Sequence, residues 1–100
     1  MTVYIISQIT IHDRAQYDAY EAGFMDIFEQ YEGTMLSVDE NAKRLEGEWT
    51  ATRSVLMSFP SAEAFKAWAG SKEYREISKL RHAASETHSI MVNGLGDESK

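Results

Sequence analysis

Apolar residues recur in this chain at two alternating spacings, which limits it to a mixed α and β architecture. The segment Val3–Ile11, VYIISQITI, is rich in β-branched residues and short enough for a strand. Val3, Ile5, Ile9 and Ile11 fall on one side, with Ser7 the polar exception, while Tyr4, Ile6, Gln8 and Thr10 fall on the other. The period then changes. Asp13 has the chemistry of a helix N-cap, and Gln16 completes a capping-box pattern. Tyr17, Tyr20, Phe24, Ile27, Phe28 and Tyr31 follow at three- and four-residue steps along one helical face, and Gly33 is the expected stop.

A second strand is predicted over Thr34–Asp39 and a third over Ala51–Phe59, closed by Pro60. Asp39–Trp49 between them is either a long connection or a bent edge strand. The strand is favoured, because long structureless loops are uncommon in small domains. Ser61 can cap a second helix through Phe65 and Trp68, which Gly70-Ser71 interrupts; Ser71 can cap a further stretch carrying Tyr74, Ile77 and Leu80. His88, Ile90 and Val92 alternate with Ser89, Met91 and Asn93 in a final strand. Residues 1–94 are expected to form a single domain and residues 95–100 a flexible tail.

The order β-α-β-β-α-β, joined by right-handed crossovers, predicts a ferredoxin-like α+β fold. Its four-stranded antiparallel sheet carries two helices, the second broken, on one face. The other face would then expose an apolar patch of roughly several hundred Å², more than most monomers tolerate. Pairing with a second copy through a two-fold axis covers it, so a homodimer is expected.

Charge and composition narrow the partners. With Lys+Arg at 10 and Asp+Glu at 16, the net charge of −6 repels phosphate backbones, so nucleic acid is not an expected partner. No apolar run is long enough to cross a membrane, and Met1–Ile6 lacks a signal-peptide pattern; a cytoplasmic location is expected. The absence of cysteine removes disulfides and thiolate zinc sites.

Several elements together resemble a known family. Glu46-Gly47-Glu48-Trp49, Thr52-Arg53, Phe59-Pro60-Ser61, Ala67-Trp68, Ser71-x-Glu73-Tyr74 and Arg81 are similar to the small bacterial proteins of the DUF1330 family, of unknown function. Tyr17-x-x-Tyr20 and Val92-Asn93-Gly94 extend the resemblance over nearly the whole chain. It implies the dimeric α+β-barrel superfamily, whose members include cofactor-free monooxygenases, haem proteins, lactone isomerases and stress-response proteins. The chain departs from the family pattern where Thr34 follows Gly33 and Ala69 follows Trp68, so a site using a tyrosine after that tryptophan would not operate here in its usual form.

Arg53 at the mouth of the third strand can fork onto a ligand carboxylate or enolate. The competing reading, which is favoured, pairs it internally with Glu46 or Glu48. Trp68, at helical spacing from Phe65, is expected to be core packing with its N–H bonded to a carbonyl, or else a wall for a planar ligand. Trp49 has the same second reading, or that of an anchor at a dimer edge. Tyr17 and Tyr20 can each present a hydroxyl to a cleft. His12, beside the first helix cap, and His88, on the last strand, are the candidates for proton transfer. No histidine has a neighbour at metal-ligand spacing, so neither metal nor cofactor is expected.

The functional expectation is a pocket between sheet and helices lined by Tyr17, Tyr20, Arg53, Trp68 and Tyr74. It would take a small carboxylic or aromatic metabolite, with catalysis that needs no cofactor as one outcome. The alternative is a non-catalytic dimeric binding or structural module, which requires Arg53 paired internally and no useful cavity.

Overall fold

A computed structural model describes residues 1–95. The elements run β1 (Val3–Ile11), α1 (Arg14–Phe28), β2 (Thr34–Asp39), β3 (Arg53–Phe59), α2 (Ala62–Ala69), α3 (Lys72–Ala84) and β4 (Ser85–Asn93). The strands form one antiparallel sheet in the order β2-β3-β1-β4, the ferredoxin-like arrangement. The expected tail lies, from residue 96 onward, outside the described residues.

Three side-chain caps start the helices. Asp13 accepts from the Gln16 N–H, Ser61 from the Ala64 N–H and Ser71 from the Tyr74 N–H. Each satisfies a backbone donor that the first helical turn leaves without a partner. The break at Gly70-Ser71 is real and separates α2 from α3.

Register assigns the two faces of the sheet. Val3 opposes Phe59, Ile5 opposes Met57 and Ser7 opposes Val55, all of them buried beneath the helices. Their neighbours Tyr4, Ile6 and Gln8 oppose Ser58, Leu56 and Ser54 on the far side, and Val92, Ile90 and His88 on β4. There Ile90 is 58% exposed and Ile6 39%. The chain measures 15 Å along its shortest axis, room for a sheet and one helical layer. Helices therefore cover a single face.

The structure corrects the expected boundaries in three places. Helix α1 ends at Phe28, short of Tyr31, because Gln30 and Tyr31 donate to the carbonyls three residues back, tightening the chain out of α geometry. Gly33 is not a left-handed helix stop; among the described residues only Gly47, at φ 75°, has positive φ. A Cβ on Gly33 would come within 2.5 Å of the Phe28 ring and 2.7 Å of Phe59, so this glycine permits a close approach.

The second correction is the predicted bent strand, which is absent: residues 40–52 are irregular and almost wholly exposed. The Asn41 N–H bonds to the Asp39 carboxylate at 2.7 Å, an Asx turn that takes the chain off the sheet edge. Thr52 brings it back by donating its N–H to the Ile9 carbonyl and accepting from the Ile11 N–H. The third strand accordingly starts at Arg53, not Ala51.

Third, β4 begins at Ser85, three residues before His88, because α3 passes into the strand without a loop. The Ser85 hydroxyl donates to the Arg81 carbonyl at 2.7 Å and holds that corner.

Candidate functional site

A cavity of about 470 Å³ lies between the helical layer and the covered face of the sheet. Its floor comes from alternate residues of β1 and β3, including Ile5, Ile9, Val55 and Met57. Its roof comes from α1, α2 and α3 through Tyr17, Tyr20, Phe24, Trp68, Tyr74 and Arg81. The helical period supplies these side chains: Tyr17, Tyr20 and Phe24 step along α1, and Tyr74 and Arg81 lie two turns apart on α3.

The five residues expected to line a pocket, Tyr17, Tyr20, Arg53, Trp68 and Tyr74, surround this one cavity. His12 and His88 do not line it. His12 is exposed beyond the end of β1, its N–H donating to the Ala84 carbonyl, and His88 faces Gln8 on the opposite side of the sheet. Neither histidine is therefore placed to transfer a proton inside the cavity. Among the described residues no group of His, Asp and Glu is placed to hold a metal ion.

Arg53 is paired internally, but not with the residues the sequence suggested. Its guanidinium binds Glu21 on α1 and Glu40 just beyond β2, the latter at 2.7 Å. Glu46 and Glu48 instead lie in the exposed 40–52 segment. Arg14 also reaches Glu40, at 3.0 Å, and Asp18, at 3.1 Å, so two arginines link three carboxylates in one chain of ion pairs. The hydrogen bond from Arg53 holds the Glu40 carboxyl below its ordinary pKa, burial opposing, with Arg14 adding to the lowering. The Tyr17 ring lies 5.4 Å from the Arg53 guanidinium carbon, and burial, foremost, raises the Tyr17 pKa.

Trp68 is 3% exposed and central to the aromatic cluster, its ring 4.2 Å from Tyr74 and 5.6 Å from Phe59. It is core packing, as its spacing implied. Among the described residues, however, its indole N–H has no partner, contrary to the expected carbonyl bond. The Arg53 Nε and the Thr87 hydroxyl are also buried and unpartnered. All three belong to residues lining the cavity. Native folds leave few buried polar groups unsatisfied, and water or a ligand commonly accounts for the exceptions.

At the α3 end, the Tyr20 and Tyr74 hydroxyls meet at 2.7 Å. Burial, then the Tyr74 oxygen, pushes the Tyr20 pKa far above the ordinary phenol value. Tyr20 therefore stays protonated and keeps its O–H as a donor. Arg81 stands beside it, 5.9 Å from the Tyr20 ring centre. Burial works against the Arg81 charge, yet the two phenolic oxygens outweigh it and its pKa is raised.

Glu21, Glu40, Arg81 and Thr87 were missed as site residues. Glu21 lies one turn on from Tyr17 and Arg81 two turns on from Tyr74, so helical period could have found both; Glu40 and Thr87 carry no such signal.

Topology and cavity together define a class: a ferredoxin-like α+β protein with a ligand-sized space between its helices and sheet. Within that class the chain belongs to the family described as Domain of unknown function (DUF1330), which residues 2–95 match. No curated protein matches the sequence. Among solved structures, a protein of unknown function from Rhodopseudomonas palustris superposes with a TM-score of 0.82 at 20% identity, over 94% of this chain and 82% of that one. SnoaB, a cofactor-independent oxygenase from Streptomyces nogalater, is similar at a TM-score of 0.67 and 12% identity, over 94% and 93%. A dimeric protein of unknown function and ferredoxin-like fold from Bacteroides fragilis gives 0.68 and 13%, over 93% and 96%. At these identities the likeness shows the fold.

Proposed function

We propose that this chain is a homodimeric small-molecule-binding protein whose ligand, a small carboxylic or aromatic metabolite, occupies the cavity between helices and sheet. One observation carries this reading: the cavity-lining residues supply all three unpartnered buried side-chain polar atoms of the described residues, in mainly apolar walls. Its size is in the range of pockets that bind small organic molecules. The internally paired Arg53 agrees with the purely structural alternative, but the cavity does not. Its lining includes one carboxylate, Glu21, already engaged by Arg53, and no histidine, which favours recognition over acid–base chemistry.

The dimer follows from the bare face of the sheet. Ile6, Leu36, Ile90 and Val92 are exposed there or at its edge, an apolar surface that a second copy would cover. The Bacteroides fragilis relative and one from Thermobifida fusca are described as dimeric, which supports the same assembly.

A thermal-shift screen of aromatic and short-chain carboxylic acids tests the ligand reading. Binding to the native state raises the melting temperature with concentration. At least one acid is expected to do so for the wild type and to lose its effect with Ala69→Leu, which narrows the cavity at a lining position. Failure of every acid to shift the wild type would count against the reading.

A further inference from the structure

The cations lining the cavity differ in how they are satisfied. Arg53 is neutralised by Glu21 and Glu40, so a ligand anion there would have to displace a carboxylate. Arg81 lines the same cavity, half-buried, and among the described residues it forms no ion pair. Its hydrogen-bond partners are the Tyr20 and Tyr74 hydroxyls beside it and, at the 3.5 Å limit, His82 Nε2, none of them a carboxylate. A partly desolvated guanidinium without a counter-ion is costly, and an anion relieves that cost.

The neighbouring polar groups point to the same chemistry. Of the Tyr20 and Tyr74 hydroxyls, one donates to the other, which leaves one O–H free to donate to a third oxygen. The unpartnered Trp68 Nε1 and Arg53 Nε atoms can only donate. The cavity thus presents donors in excess of acceptors, and its complement is an acceptor-rich ligand. Phe24, Phe65, Val55 and Met57 furnish apolar walls for the rest of the molecule.

We propose that Arg81, with the Tyr20–Tyr74 hydroxyl pair, is the anion-binding end of the cavity, and that the ligand is a small organic monoanion, a carboxylate or enolate on a flat apolar body. Arg53 is the structural cation. The assignment rests on the cavity being a ligand site, and its test separates the two.

Trp49→Phe leaves Trp68 as the lone tryptophan of the chain, so its fluorescence reports on the cavity. In that background, benzoate and phenylacetate are titrated against their neutral amides. The acids are expected to bind at least about tenfold more tightly than the amides, as desolvated charge-assisted hydrogen bonds require. Arg81→Gln should erase that preference, Arg81→Lys should keep part of it, and Arg53→Gln should affect acids and amides alike. Circular dichroism and melting of each unliganded variant verify its fold; if Arg81→Gln does not fold, the acid preference of the parent and its reduction in Arg81→Lys decide. Equal binding of acids and amides, or an acid preference that survives loss of the Arg81 charge, overturns the assignment while leaving the cavity reading intact. No saturable signal from any of the four compounds overturns both.

Discussion

The hydroxyls of Tyr20 and Tyr74 meet at 2.7 Å in a buried contact that joins α1 to α3. Replacing either tyrosine by phenylalanine leaves the other hydroxyl without its partner. Each single variant should lose about 1–3 kcal/mol, and the double variant less than the sum of the two, because it removes both polar groups. Urea denaturation of the four-protein cycle measures this, and strict additivity would mean that the bond does not form.

The pairing of Glu40 with Arg53 makes a pH prediction. The carboxyl is held below its ordinary value of 4.5 in the folded state. Its contribution to stability is thus complete above that value and is lost as pH falls through the lowered folded pKa. Wild-type stability should fall more steeply below pH 4.5 than that of Glu40→Gln, with the two curves converging in acid. Since Glu40 is at the surface, their separation near neutrality should stay within about 1 kcal/mol. Urea midpoints across this range check both statements.

Two glycines facing side chains should respond in opposite ways. At Gly33 an added methyl meets the Phe28 and Phe59 rings, which are buried to 2% and 1% exposure and have little room to yield. Gly33→Ala should cost about 1–3 kcal/mol, the range for overpacking. At Gly23, within α1, the obstacle is the terminal Cδ1 of Ile77, a flexible end that can rotate aside. Gly23→Ala gains up to about 1 kcal/mol of helix propensity and should be neutral or stabilising. Thermal melts of the two variants decide the sign.

The strands and helices were legible because period and cap chemistry agree: VYIISQITI alternates, and Asp13, Ser61 and Ser71 each stand before a helical pattern and do cap it. Tyr17, Tyr20, Trp68 and Tyr74 could be gathered at one site because helical spacing sets them on the faces turned to the sheet. Residues 40–52 could not be read, since one hydrogen bond from Asn41 to Asp39 decides that the chain leaves the sheet edge. The partners of Arg53 were hidden for a related reason. Glu46 and Glu48 are close in sequence, whereas Glu21 and Glu40 reach it only once α1 and β2 have docked beside β3.

Across β1 and β4, Ile6 stands directly opposite Ile90 on the bare face. A charge at either position would be buried without a partner in a sheet-to-sheet dimer. Light scattering at micromolar concentration should give twice the 11.3 kDa chain mass for the wild type and close to the single mass for Ile6→Glu or Ile90→Lys. A wild type that scatters as one chain would remove the dimer from the account.

The claim on which the rest depends is that the unpartnered polar atoms of the cavity await a ligand, and the Trp68 indole N–H reports on it directly. In a nitrogen-15-labelled sample, its NMR cross-peak is followed during titration with the acid that raises the melting temperature most. The account predicts a saturable shift of the Trp68 resonance while that of Trp49, outside the cavity lining, holds its place. A Trp68 resonance that stays fixed while that acid stabilises the protein would put the ligand elsewhere and contradict the account.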